Sequence, residues 1–183
     1  YNTIGKNWAK APKAVKGAAL SCILSDTLEF RSPTTTDEDK AVAQAIATEL
    51  GVDISAYAAD MFAAKSDVSA FSEAELLRMD SKEFDLNGTN LRVSVLETTS
   101  PAPLLARKDA LMTAMPAVAT EDGAAEVLLF IVDILKEEAT LLVPNDTVKS
   151  IAANSFGATV TGDTVVLPGI MSRKKQIIPN LKM

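Results

Sequence analysis

The residues best suited to chemistry lie near the end of the chain. Arg173, Lys174 and Lys175 stand in a row between Ile170 and the pair Ile177-Ile178, and Pro168 and Pro179 close the two sides. A run of like charges is commonly a solvated loop. The sharper reading is a built anion site. Arg173 offers a planar fork to phosphate oxygens and Lys174 adds a point charge. Ile170, Ile177 and Ile178 would hold that loop against a core, and a phosphate clamp needs cations that do not move. The second candidate is Asp26, which follows an apolar stretch over residues 13–25. A carboxylate at the end of a buried helix opposes the helix dipole. Either a nearby donor pairs with it in a turn, or a metal cation cancels the cost.

Composition limits what these groups can serve. The 183 residues are 48% apolar and 23% charged, a globular balance with enough chain for one good core or two small ones. The net charge of −6 and the lack of a basic stripe with interleaved aromatics argue against nucleic acid as a partner. There is no histidine, which excludes a Ser-His-Asp triad, a Cys-His pair and a histidine-ligated metal within this chain. Metal chemistry would need groups from outside these residues. The single cysteine, Cys22, fits a reducing compartment and reads as inert core. No apolar run reaches membrane-spanning length, and no signal peptide is visible.

The elements that must position the candidates follow from periodicity. Residues 13–25 are apolar around most of a helix, which predicts burial against a sheet or a second helix. Thr36 is a good N-cap with Asp39 at the capping-box position, and Ala41, Val42, Ala45, Ile46 and Leu50 give an amphipathic helix stopping at Gly51. A further helix spans about 54–64 with Tyr57, Met61 and Phe62 inward, and 65–69 reads as a linker. Ser72 and Glu75 form another capping box. Residues 82–86 and 91–96 alternate around Asn87-Gly88, a hairpin signal. Ser100-Pro101 fits the start of a helix that ends near Pro116. The run 127–132 predicts a central strand covered on both faces, with 139–143 beside it. Asn145 or Asp146 caps a short helix, and 159–161 and 165–167 are expected to pair around Gly162-Asp163. The second unit is then a mixed sheet with helices on its faces, about 66–183. The first, 1–65, has only helices. With a start at Tyr1 and no methionine, it is expected to be the remnant of a larger domain.

Three stretches together resemble the manganese-dependent (family II) inorganic pyrophosphatases of the DHH phosphoesterase superfamily. They are residues 24–28 with Phe30 and Ser32-Pro33-Thr34; Asp80-Ser81-Lys82-Glu83-Phe84; and Pro168-Gly169 running into Ser172-Arg173-Lys174-Lys175-Gln176. The likeness covers nearly the whole chain, the first dozen residues matching poorly. It implies an α/β fold: a DHHA2-type mixed β-sheet flanked by helices over 66–183, preceded by a helical remnant of the DHH domain over 1–65. It also implies that Asp26 corresponds to a metal-ligating aspartate, and that Lys82, Arg173 and Lys174 are the catalytic and substrate-binding cations. Lys82 read alone is only a lysine at the start of a strand. The Asp-His-His motif and the earlier metal ligands of the family are absent, so the residues present are not expected to hold the metal pair.

What the resemblance implies for function is hydrolysis of pyrophosphate at a two-metal site, manganese with magnesium as an alternative. The DHH domain completes that site, and this chain supplies the cations. Metal-bound water would be the nucleophile, and the cations would stabilise charge on the leaving phosphate. Closure about residues 65–69 would complete the site. The implied setting is cytoplasmic, in a parent that is a homodimer through the DHH domain, with no nucleic-acid or membrane partner; this chain alone would be inactive. Two other readings stand beside it: an exopolyphosphatase of the same superfamily, and a non-catalytic phosphate-binding or regulatory module.

Overall fold

The structure, a computed structural model, describes residues 5–183. The chain divides into two compact units, the first ending at Ala64 and the second running from Lys65 to Met183.

In the first unit a 3-10 turn, Gly5–Lys10, precedes helices α1 (Lys13–Thr27), α2 (Asp37–Leu50) and α3 (Ile54–Lys65). Its described residues include no strand. Helix α1 packs on α2, burying Leu20 and Leu24 on one side and Ala43, Ile46 and Ala47 on the other. Cys22 is exposed, not core. It sits two residues from both Leu20 and Leu24, roughly 200° around the helix from them, so the packed face excludes it. The capping box forms as the sequence indicates: Asp39 N donates to Thr36 Oγ1 at 3.2 Å, and Thr36 N donates to Asp39 Oδ2 at 2.8 Å. Tyr57 ties α3 to α1 through Gly17 O at 3.2 Å and Ser21 Oγ at 2.9 Å. Glu49 receives Trp8 Nε1 at 3.2 Å and Lys16 Nζ at 2.8 Å, and the Lys16 ammonium holds its carboxyl below the ordinary value. After α1 the backbone turns through three successive left-handed residues, Leu28, Glu29 and Phe30, at φ 51°, 52° and 69°. Such a run is costly without glycine. Hydrogen bonds from Glu29 N to Leu24 O and Ser32 N to Thr27 O, both 2.9 Å, hold it.

The second unit contains α4 (Glu73–Met79), β1 (Ser81–Leu86), β2 (Thr89–Thr98), α5 (Ala102–Leu105), α6 (Lys108–Glu121), β3 (Glu126–Asp133), β4 (Glu138–Leu142), α7 (Asp146–Phe156) and β5 (Thr164–Pro168). Its five strands lie in chain order, β1-β2-β3-β4-β5. Neighbours are antiparallel except β2 and β3, which run parallel and are joined through α5 and α6. Asn87 and Gly88, at φ 54° and 86°, make the tight β1–β2 turn, which needs positive φ at both positions. Strand β3 is central and buried along nearly its whole length. On one face of the sheet, Leu96, Leu129 and Ile131 join Leu76 and Leu77 of α4 and Leu111, Met115 and Val118 of α6 in one core. On the other, Phe130 meets Phe156 of α7 edge-on, with ring centroids 5.9 Å apart.

Four expectations change. The helix after Pro101 is split into α5 and α6 at Arg107, whose guanidinium binds Phe71 O at 2.7 Å and Glu73 Oε1 at 2.8 Å. The residue capping α5 is Pro101, not Ser100. Helix α6 passes through Pro116 to Glu121. Burial of Met115, Val118 and Ala119 there outweighs the proline's penalty of about 3 kcal/mol. Residues 159–161 form no strand; β5 pairs with β4 instead, Val165 opposite Leu141. That pairing buries Val165 and Leu167, which a free two-strand ribbon would leave wet. Among the described residues, no helix is long and apolar enough to cross a membrane.

Candidate functional site

The site begins where α4 meets β1. Ser72 caps α4 reciprocally with Glu75, and the helix ends at Asp80. Ser94 Oγ donates to Leu77 O at 2.5 Å and Val95 N donates to Asp80 O at 2.9 Å, locking the junction onto β2. Lys82 follows in β1, opposite Val93 and exposed. Register settles which face it occupies. Val93 lies opposite Leu128 and Val95 opposite Phe130, so the side chains of Lys82 and Val93 share the α7 face. Ser81 and Glu83 point the other way, where Arg92 reaches them at 2.6 and 3.1 Å.

The basic triplet is a helical turn rather than an open loop. Gly169, at φ 74°, turns the chain after β5 and donates its N–H to Glu137 O at 2.8 Å. Ser172 then caps a turn over Arg173–Ile177, and Ser172 O accepts from both Gln176 N at 2.9 Å and Ile177 N at 3.0 Å. The second bond is the wide i→i+5 kind. Gln176 staples the turn from within: its Oε1 accepts from Met171 N and Ser172 N, each at 3.0 Å, and its Nε2 donates to Gly169 O at 2.6 Å. Ile177 is fully buried and Met171 nearly so, while Ile170 and Ile178 are half-buried. The segment beyond ends on α7, where Lys182 N donates to Ser155 Oγ at 2.9 Å.

The turn lies on the same side as Lys82. Arg173 Nη1 donates to Asp80 O at 2.7 Å and lies 3.5 Å from Val93 O; its Nη2 donates to Asp80 Oδ1 at 2.8 Å. The guanidinium is therefore docked on the backbone that flanks Lys82. Lys174 is exposed on the same turn. Among the described residues, neither Lys82 nor Lys174 makes an ion pair. The structure thus places Lys82 and Arg173 at one edge of the sheet, Arg173 through Asp80 and Val93. Sequence reasoning gave no role to Asp80 or to the Gln176 staple. Both residues fall inside quoted motifs, but nothing in a spacing of 93 positions shows that Asp80 and Arg173 touch.

Asp26 belongs to the first unit. It is exposed on the last turn of α1, just before the left-handed run. Among the described residues, no group of three or more His, Cys, Asp or Glu could hold a metal ion. A lone carboxylate does not make a site for a hard cation, which takes several ligands.

The DHHA2 domain family matches residues 59–183. A Lactobacillus helveticus protein named as a probable manganese-dependent inorganic pyrophosphatase is 37% identical over 182 residues, covering 99% of this chain and 58% of its own length. One from Deinococcus radiodurans, with the same name, is 44% identical over 168 residues, covering 89% and 54%. The crystal structure of a family II inorganic pyrophosphatase candidate from Methanococcus jannaschii matches with a TM-score of 0.81 at 33% identity, over 93% of this chain and 55% of that one. The chain spans somewhat more than half the length of these relatives.

Proposed function

This chain belongs to the DHHA2 domain family, and on that premise we propose that it is the substrate-binding part of a manganese-dependent inorganic pyrophosphatase. Residues 66–183 would be the DHHA2 domain and 1–65 the end of a DHH domain. The observation that carries the reading is Arg173 docked beside Lys82 on one sheet edge. Pyrophosphate is a dense polyanion, and a planar guanidinium with ammonium groups nearby suits its oxygens. Lys82, Arg173 and Lys174 bind and orient it, and they stabilise negative charge as it builds on the departing phosphate. Because Arg173 is fixed before substrate arrives, little reorganisation is needed at the moment of reaction. The described residues do not themselves fit a manganese site. Asp26 would lend one carboxylate to a site whose other ligands lie outside this chain. The same reading puts the intact protein in the cytoplasm, as a homodimer through its DHH domain.

The test is phosphate release from pyrophosphate by the intact protein with manganese, with and without Arg173→Ala. Loss of one such donor should lower turnover about 100-fold, measured at a temperature where circular dichroism shows the variant folded. An unchanged rate removes Arg173 from the mechanism. Preference for a longer polyphosphate would favour an exopolyphosphatase, and binding without hydrolysis a regulatory module.

A further inference from the structure

The pyrophosphatase reading gives Asp80 no part, yet the structure gives it the closest hold on Arg173. Its carbonyl accepts twice, from Val95 N at 2.9 Å and from Arg173 Nη1 at 2.7 Å. Its Oδ1 accepts from Arg173 Nη2 at 2.8 Å. A guanidinium has five N–H donors fixed in one plane. Nη1 and Nη2 are engaged by Asp80, whereas Nε makes no hydrogen bond to any described residue. The Arg173 side chain is only 17% exposed, so the surrounding protein also restrains it.

Resting on that reading, we propose that Asp80 is the positioning residue of Arg173. It grips the Nη1–Nη2 edge and so leaves the Nε–Nη2 edge for a phosphate oxygen, next to Lys82. Contact with the α4–β1 junction, rather than with the turn's own backbone, then sets the direction of the fork. The opposite role would be a counter-ion that competes with substrate. Asp80 is 55% exposed, so solvent screens its charge while its hydrogen-bond geometry persists.

The experiment is a cycle on the intact protein with manganese and pyrophosphate: the unaltered form, Asp80→Ala, Arg173→Ala and the double variant. Misdirecting the fork should lower kcat about tenfold while KM moves less than about twofold. The double variant should be no slower than Arg173→Ala, because Asp80 acts only through Arg173. Asp80→Asn, which keeps an acceptor in place, should recover most of the rate. Asp80→Glu keeps the charge but displaces it, and should be slow; it completes the cycle if Asp80→Ala does not fold. A double variant slower than Arg173→Ala by the full Asp80 factor overturns the proposal, since Asp80 would then act independently. A rate that is unchanged in Asp80→Ala also overturns it, and a raised rate identifies a competing counter-ion. Full activity in Arg173→Ala instead defeats the role of Arg173 in the underlying reading, and the inference about Asp80 goes with it.

Discussion

Strand β1 is an edge strand, so something besides β2 must hold Lys82 in place, and Asp122 is the residue to perturb. Its carboxylate, at the end of α6, accepts from Arg78 Nε at 3.0 Å and Nη2 at 3.1 Å. Arg92 Nε lies 2.7 Å from Asp122 Oδ2, but its N–H is poorly aimed, so that contact is an ion pair rather than a good hydrogen bond. Arg92 in turn reaches Ser81 and Glu83 of β1. Asp122→Ala would leave Arg92 Nε buried and facing no acceptor. The partners that remain, Glu121 and Glu83, are 67% and 53% exposed, and such pairs contribute little. Charge-assisted hydrogen bonds net about 1.5–3 kcal/mol, so Asp122→Ala should cost about 2 kcal/mol. Glu121→Ala should cost under about 0.5 kcal/mol. In urea unfolding followed by circular dichroism, about 2 kcal/mol is a midpoint shift of about 1 M. Arg78, then Arg92, lowers the Asp122 pKa against an opposing burial effect. A depressed carboxyl contributes stability above its unfolded value near 4 and loses it as pH falls through the native value. Asp122→Asn should therefore flatten the decline in stability below about pH 4. Equal shifts for Asp122→Ala and Glu121→Ala, or an unchanged acid slope, would refute the reasoning.

Two more outcomes are expected beside those for Arg173 and Asp80. Ile177→Ala should destabilise by about 3 kcal/mol, because the side chain is fully buried. Thermal unfolding checks this, and phosphate release by the intact protein should fall with it as the basic turn loosens. Thr36→Ala should cost about 1 kcal/mol by removing the side-chain acceptor of the Asp39 N–H, while the Thr36 N–H still donates to Asp39, read as a loss of melting temperature with no change in turnover. A loss of turnover at matched stability would show that the α2 cap does more than hold its helix.

The sequence was most legible where a local pattern fixes a local structure. Thr36 with Asp39, Ser72 with Glu75, and Asn87-Gly88 each name a cap or turn within a few residues, and each is found there. The central strand β3 was also readable, because only burial on both faces tolerates so unbroken an apolar run. Pro116 misled because tertiary packing outweighed a local breaker. Cys22 misled because a helix apolar on most sides does not reveal which side is covered. The pairing of β5 with β4 depends on which partner buries more, and alternation alone cannot rank partners. At the site, the cations were legible as a motif, while the hydrogen bonds that aim Arg173 come from the opposite end of the unit.

That last contact bears on how the unit is assembled. Asp80 and Arg173 are 93 positions apart, and between them lie the whole sheet and its one parallel crossover. Closing so long a stretch of chain is entropically costly and comes after the local hairpins. A polyanion settling on Arg173 would fasten this seam between the earliest and latest pieces of the unit, favouring the finished topology over partly folded ones by mass action. Chains truncated before β5 could keep their first hairpin yet would have nothing with which to seal it.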